Sequence, residues 1–281
     1  LSTAFVFNFA PYLVNPILGA IALIIFFFFA KRYYGEKVAI WSLLSLAFTG
    51  YYIFNSASYF SHTSCLLFTI VFVFCVHLSA EKPRDVTYAM QAGLFLGLML
   101  ITRYFTAVLV FIPVMISLVY RFRWISLRIL LFMGIGALPC LLFLFWYNYM
   151  ITGNPLLPVT VWADSTETIG FVKGHSFTRG VEYTIRRLLL FLYWCSPAIL
   201  GLYFLFLAQK VLDKSARFVH PEDYFFILLL AGYFFYHHLG GNQYGPRFLL
   251  EALPFCIVFV VRKVFQAKST WPLAFFAAGA I

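Results

Sequence analysis

The fold is decided by an almost uncharged stretch, VTYAMQAGLFLGLMLITRYFTAVLVFIPVMISLVY (Val86–Tyr120), whose one charged residue is Arg103. Apolar runs of roughly 16–20 residues are long enough to cross the hydrocarbon core of a bilayer as helices. Arg103 divides the stretch into two such runs, Val86–Thr102 and Tyr104–Tyr120. Because no polar loop separates them, the sequence predicts two helices that meet at Arg103 near one surface of a membrane.

The same pattern recurs along the whole chain. The 281 residues are 63% apolar and only 11% charged, and the mean hydropathy is +0.90. These values exclude an ordinary soluble domain and indicate an all-α, polytopic transmembrane helical bundle with about nine or ten spans. The other predicted spans are Asn15–Ala30, Val38–Phe54, Ser64–Leu78, Arg128–Tyr149, Leu188–Ala208, Tyr224–Leu239, Phe248–Val261 and a run that starts near Trp271.

We interpret residues 1–281 as one transmembrane domain that belongs to a longer chain. The first residue is Leu1 rather than Met, and the last apolar run is unfinished at Ile281. The five cysteines lie in apolar runs without the spacing of metal ligands or of a disulfide framework, so we expect them to be packing residues.

The loops carry an uneven distribution of positive charge, which predicts the orientation in the membrane. Fourteen of the 20 basic residues occupy one set of loops: Lys31, Arg32, Lys37, Lys82, Arg84, Arg121, Arg123, Arg128, Lys210, Lys214, Arg217, Arg262, Lys263 and Lys268. The other six are Arg103, Lys173, Arg179, Arg186, Arg187 and Arg247. By the positive-inside rule the first set is cytoplasmic. Four polar segments are then predicted to converge on the outer face: 55–63, Arg103, the long loop 151–187, and the turn 240–247.

Arg103 has two interpretations at this stage. Its guanidinium could extend to the lipid headgroups, as long cationic side chains do near the ends of membrane helices. Alternatively, its fork of N–H donors could bind the phosphate of a lipid-linked substrate through two parallel hydrogen bonds. The residues alone leave both readings open.

The turn Gly240–Arg247 (GGNQYGPR) places a lone arginine between two apolar runs. Glu251 follows Arg247 by four residues, so a simple ion pair across one helical turn is one reading. Tyr244 and the glycines before Arg247 are more than such a pair requires. We therefore predict that Tyr244, Arg247 and Glu251 contribute to a substrate site.

The loop 151–187 holds three acids, Asp164, Glu167 and Glu182, together with several cations and His175. A carboxylate there could remove a proton from an acceptor, and the cations could stabilise a phosphate leaving group. We take Asp164 as a fallback base and His175 and Arg179 as candidate substrate ligands. The alternative is a solvated loop.

Three further polar side chains lie near the ends of predicted spans. His62 starts a predicted span, either as a substrate ligand or as an ordinary helix-entry histidine. Arg186 and Arg187 stand just before a span, where they are expected to face the headgroups.

Several classes of site have no signature in the chain. It contains no phosphate-binding glycine loop, zinc motif or serine nucleophile elbow, and its positive charge marks loop ends rather than a nucleic-acid surface. We therefore predict no cofactor, no metal site and no nucleic-acid partner. A lipid-carried substrate fits better than a soluble nucleotide sugar.

Four short motifs in the right order resemble bacterial C-type membrane glycosyltransferases, the group that includes protein O-mannosyltransferase and aminoarabinose transferase relatives. These motifs are Tyr12–Ala20 running into Ala30–Gly35, Gly93–Thr106, Tyr147–Tyr149 with Thr152–Pro155, and Tyr244–Phe248.

The resemblance implies inverting transfer of a sugar from a polyprenyl-phosphate carrier to a lipid, glycan or protein acceptor. It also implies a bacterial inner membrane with the site facing the periplasm or exterior. By position, Arg103 matches the cation near the lipid phosphate, and Arg247 matches the arginine of a Gly-Pro-Arg motif. The family's catalytic aspartate belongs to a loop ahead of the segment that matches Leu1. The alternatives are a transporter or flippase of lipid-linked sugars, and a non-catalytic membrane scaffold.

Overall fold

The computed structural model describes residues 11–171, 174–213, 219–240 and 244–267. Within these ranges the chain is helical, with one isolated antiparallel bridge between Ile169 and Tyr236. The α-helices are α1 (Val14–Tyr34), α2 (Glu36–Ala47), α3 (Gly50–Ser56), α4 (His62–Glu81), α5 (Val86–Phe122), α6 (Trp124–Thr152), α7 (Val159–Ala163), α8 (Phe177–Trp194), α9 (Pro197–Leu212), α10 (Phe225–Gly232) and α11 (Leu253–Gln266). Short 3-10 helices cover Pro11–Leu13, Ser165–Glu167, Pro221–Tyr224, Tyr233–Phe235 and Arg247–Ala252. The predicted all-α helical bundle is confirmed.

In the part of the chain that the structure describes, four helices are long and apolar enough to cross a membrane: α1, α4, α5 and α6. A fifth crossing results if α2 and α3, which are bent by 66° at their junction, count as one broken span. The predicted span Leu188–Ala208 is interrupted at Ser196, because Pro197 cannot continue the helix before it and instead begins α9. The described residues thus hold fewer unbroken spans than the sequence predicts. The run from Trp271 lies outside them.

The helix α5 reverses direction at Arg103, whose backbone angles are not helical (φ −153°, ψ 78°). A Cβ atom on Gly93 would lie 1.9 Å from the carbonyl oxygen of Met133, so α5 touches α6 at that level. At 1.5 Å per residue, a straight helix would put Gly93 about 45 Å from Arg123, where α6 begins, whereas Met133 lies only about 15 Å from that point. The contact therefore requires α5 to fold back, and the predicted pair of helices meeting at Arg103 is confirmed.

The two ends of the bundle differ. At one end, which we name the basic end, Arg128 donates to the carbonyl oxygen of Arg84 (3.2 Å) and Arg121 donates to that of Val219 (3.3 Å). Both arms of α5 begin or finish there. Arg103 lies at the opposite tip of these arms, which we name the site end.

The helix α11 lies at the centre of the bundle, and every residue from Leu253 to Arg262 is buried. A helix that is apolar all round belongs in an interior. Aromatic contacts hold it there, since Phe255 packs on Phe29 of α1 and Phe259 packs on Tyr203 of α9. This position carries the 3-10 turn Arg247–Ala252, just before α11, into the interior of the site end.

Candidate functional site

A cavity of about 630 Å³ lies at the site end. Its polar and aromatic lining residues include His62, Arg103, Glu167, His238, Arg247 and Phe248. Each of the four polar segments predicted to converge contributes to this lining: residues 60–62, Arg103, residues 158–160 with Glu167, and Arg247. The four segments thus come together in the fold, as predicted. They do so because the reversal of α5 and the turn before α11 both lie at the site end of the bundle.

Arg103 is held by polar side chains at the tip of α5, among them Thr106, whose Oγ1 accepts from Nε (3.4 Å). Its Nη1 atom lies 2.8 Å from His62 Nε2, its Nη2 atom donates to the Tyr233 hydroxyl (3.1 Å), and its Nε atom lies 3.5 Å from Glu251 Oε1. His62 Nδ1 lies 3.2 Å from the same Glu251 oxygen. Glu251 is fully buried beneath the pair. The guanidinium therefore points into the cavity from a fixed position, unlike a side chain that extends freely to headgroups.

The pairing of Arg247 with Glu251 across a helical turn is not observed. Residues 247–252 form a 3-10 helix with about three residues per turn, so side chains four positions apart lie on different sides of it. Glu251 turns inward to Arg103 and His62, whereas the Arg247 guanidinium lies over the Phe60 ring, 4.3 Å from its centroid.

Arg247 has an unsatisfied donor at the cavity wall. Its Nε atom is buried without a hydrogen-bond partner, and within the described residues it forms no ion pair. Burial, and then the nearby charge of Arg103, lower the pKa of Arg247, yet a guanidinium stays protonated at neutral pH. The turn that presents it is anchored to α3, where Tyr51 donates to the Pro246 carbonyl oxygen (2.6 Å) and Asn55 donates to that of Tyr244 (2.8 Å).

The Phe248 ring brings the cations of the site together. The guanidinium carbons of Arg103, Arg187 and Arg247 lie 5.2, 5.8 and 5.7 Å from its centroid. The ring also stacks on Tyr233, with centroids 4.5 Å apart and planes within 5°. Electron-rich ring faces attract cations at such distances. One aromatic pair thus fixes the spacing of three arginines.

Arg187 is buried in the interior, which corrects the expectation that it faces the headgroups. It donates to the carbonyl oxygens of Tyr233 (2.7 Å), His238 (2.7 Å) and Leu239 (3.0 Å). The His238 and Leu239 carbonyls lie beyond the 3-10 helix that follows α10, and the Tyr233 carbonyl also accepts from the Tyr236 amide (3.2 Å). A planar cation with several donors can bind all three oxygens at once. Arg186 does remain exposed, and it pairs with Glu182 at 2.7 Å.

The carboxylate on the cavity wall is Glu167 rather than Asp164. Tyr236 donates its hydroxyl hydrogen to Glu167, and His238 Nε2 lies 3.2 Å from Glu167 Oε1. Asp164 is exposed and stands beside them outside the lining. Ligand atoms of Asp164, Glu167 and His238 lie within 4.8 Å of one another, so these three could hold a metal ion. Nothing in the local sequence distinguishes Glu167 from its acidic neighbours, and only the position of Tyr236 does so.

Three other candidates lie outside the cavity lining that the described residues form. His175 is buried and bonds through Nε2 to the Phe234 carbonyl oxygen (3.0 Å). Arg179 is exposed at the first turn of α8, and Tyr244 stacks on Phe54 with centroids 5.7 Å apart. Their contribution to substrate binding stays a prediction.

A protein-family model described as dolichyl-phosphate-mannose-protein mannosyltransferase matches residues 5–146, just over half of the chain. The matched segment contains His62, the reversal at Arg103 and most of α6. No curated protein and no solved structure gives a significant match. The resemblance to C-type membrane glycosyltransferases is confirmed by the family match and by the membrane-type helices. The chain therefore belongs to the dolichyl-phosphate-mannose-protein mannosyltransferase family of multi-pass membrane glycosyltransferases.

Proposed function

We propose that the protein transfers a sugar from a polyprenyl-phosphate carrier to an acceptor hydroxyl in the cavity at the site end. The observation that carries this proposal is the charge balance of Arg103 and Arg247. Arg103 has the buried carboxylate of Glu251 as its counter-ion, whereas Arg247 has no ion pair among the described residues and leaves Nε unbonded. Arg247 is only partly buried, but a cation that is partly removed from water and lacks a counter-ion is still destabilising. An anionic group that entered the cavity would stabilise it, and a phosphate can accept from both guanidinium groups.

The proposed reaction is an inverting transfer, which the family resemblance implies. The acceptor oxygen attacks the anomeric carbon of the sugar from the side opposite the phosphate, which inverts the configuration. The bond between the anomeric carbon and the phosphate oxygen breaks, its electron pair stays on the polyprenyl phosphate, and the acceptor proton passes to a carboxylate. Arg103 and Arg247 stabilise the negative charge that grows on the departing phosphate, which is the main catalytic use of fixed cations.

The cavity also suits a sugar ring. Its volume lies within the ~300–1,000 Å³ of typical small-molecule sites. Phe60, Tyr236 and Phe248 offer aromatic surfaces, and Glu167 offers an acceptor for sugar or acceptor hydroxyls. We assign the binding of these hydroxyls to Glu167. Asp164, which lies beside Glu167 and outside the cavity lining, is no longer our candidate for this task.

The orientation is part of the proposal. The basic loops lie at the end opposite the cavity, and positively charged loops favour the cytoplasmic side. We therefore place the cavity on the outer face, which in a bacterium is the periplasmic side of the inner membrane.

The test is turnover of a polyprenyl-phosphate-linked mannose by the full-length protein in proteoliposomes, measured as released polyprenyl phosphate and glycosylated acceptor. Arg103→Ala and Arg247→Ala should each lower turnover by about 100- to 1,000-fold, the usual effect of removing one fixed charge partner of a transition state. Arg186→Ala is the matched control, because this arginine is exposed and pairs with Glu182 away from the cavity lining. Near-normal turnover in both cavity variants at normal expression would overturn the assignment. Movement of the donor across the membrane without product would indicate a flippase instead.

A further inference from the structure

A second buried polar cluster lies at the basic end, far from the cavity. Its centre is Glu222, in the 3-10 helix Pro221–Tyr224, which is only 1% exposed. Three groups converge on its Oε1 atom: His77 Nε2 at 3.0 Å, His220 Nδ1 at 3.3 Å, and the Tyr34 hydroxyl. The sugar-transfer proposal gives this cluster no task.

The donors come from separate parts of the fold. Tyr34 ends α1, His77 lies near the end of α4, and His220 with Glu222 opens the segment before α10. Their ring nitrogens and the carboxylate oxygen all lie within 4.8 Å of one another. At zinc–ligand bonds of about 2.0–2.1 Å, tetrahedral geometry places neighbouring donors about 3.3–3.4 Å apart. The two nitrogen–oxygen spacings, 3.0 and 3.3 Å, are close to that value.

The two oxygens of the Glu222 carboxylate differ in their number of hydrogen-bond partners. Three groups crowd Oε1, while Oε2 of Glu222 is buried without a hydrogen-bond partner. His77 and His220 thus each place a ring nitrogen beside the same carboxylate oxygen, and these three atoms are close enough to share one ion.

The neighbouring cations do not neutralise the negative charge of Glu222, because they bind Asp223 instead. Lys210 Nζ and Arg262 Nη2 both bind Asp223 Oδ2, at 2.6 and 2.7 Å. Among the described residues, Glu222 has ion-pair contacts only with His77 and His220. A buried carboxylate requires a positive partner. Either protonated imidazoles or a metal ion would provide it.

We propose that His77 Nε2, His220 Nδ1 and Glu222 Oε1 bind a divalent transition-metal ion, with Zn²⁺ as the best fit. Two imidazoles and one carboxylate are a common zinc ligand set, and the Tyr34 hydroxyl, 3.3 Å from His220 Nδ1, is close enough to serve as a fourth ligand. The ion fastens the ends of α1 and α4 to the segment that precedes α10, and so fixes the basic end of the bundle.

Metal content of the full-length protein tests this proposal directly. After purification in detergent, removal of bound metal with a chelator and addition of ZnCl₂, elemental analysis should give about one zinc per chain. CoCl₂ in place of zinc should give the intense visible absorption of tetrahedral cobalt, and this measurement needs no variant. Wild-type protein without stoichiometric zinc and without that absorption overturns the proposal.

Variants locate the ion. His77→Ala and Glu222→Gln should each lose the cobalt absorption and the rise in Tm that zinc produces, while gel filtration checks that they remain folded. The matched control is the double variant Glu167→Gln, His238→Ala, which removes the other cluster of possible ligands, at the site end. If the control loses zinc and His77→Ala keeps it, the ion belongs to the site end and the proposal is wrong.

Discussion

The guanidinium of Arg103 lies 2.8 Å from Nε2 of His62, across 41 positions of sequence. Arginine can only donate, so Nε2 of His62 accepts and carries no hydrogen. The hydrogen of the neutral imidazole is then on Nδ1, which faces Glu251 at 3.2 Å. The neutral imidazole of His62 therefore bridges Glu251 and Arg103 through two hydrogen bonds. The three residues form one unit that joins α4, α5 and the turn before α11.

Glu251→Gln should destabilise the protein, because it leaves Arg103 buried without its anion. Breaking a buried ion pair costs about 3–5 kcal/mol, so the thermal unfolding midpoint in detergent should fall by several degrees. Glu182→Gln removes an exposed carboxylate from Arg186 and should change the midpoint little. Equal midpoints for the two variants would show that Glu251 is not the anchor of the unit.

Gly136→Ala should destabilise the contact between α5 and α6. A Cβ atom at Gly136 would lie 2.0 Å from the Met90 carbonyl oxygen, and small residues let membrane helices approach this closely. Gly134, two residues earlier in the same helix, has open space at that position, so Gly134→Ala should stabilise α6 by about 1 kcal/mol through helix propensity. Thermal unfolding of both variants measures the difference. The proposed packing fails if Gly136→Ala unfolds at or above the wild-type temperature.

Arg187→Lys should loosen the segment 233–239, since an ammonium group cannot reproduce three donors in one plane. Protection of the amides of this segment against hydrogen exchange should fall, and sugar transfer should fall with it because Tyr233 supports Arg103. Arg186→Lys serves as the control for charge at this end of α8. Unchanged exchange in Arg187→Lys would contradict the role assigned to the three carbonyl bonds.

Glu167→Gln should raise the KM of sugar transfer by about 10- to 100-fold, the effect of a hydrogen bond to a charged group worth roughly 1.5–3 kcal/mol. Asp164→Asn, which changes the exposed neighbour, should leave KM within a few-fold of wild type. Steady-state kinetics in proteoliposomes measures both. If Asp164→Asn raised KM more than Glu167→Gln does, Asp164 rather than Glu167 would be the residue that binds the substrate hydroxyls.

The sequence by itself determined the class of fold and the composition of the site end. Long apolar runs exclude a soluble domain, and an arginine between two such runs without a loop requires a reversal in or near the membrane surface. The same reasoning selected Arg103, Arg247 and His62, all of which line the cavity. These features depend on local hydrophobicity and charge, which a chain carries in its order of residues.

Only the tertiary structure decided which polar groups meet. Glu251 pairs with His62 at a separation of 189 positions and not with Arg247, and Arg187 reaches carbonyls 46 to 52 positions away. Likewise, Glu222 joins His77 across 145 positions. A buried polar group in an apolar bundle must find a partner wherever the packing of helices places one. That placement depends on reversals, breaks and close helix contacts along the whole chain, so periodicity within any one segment could not predict it.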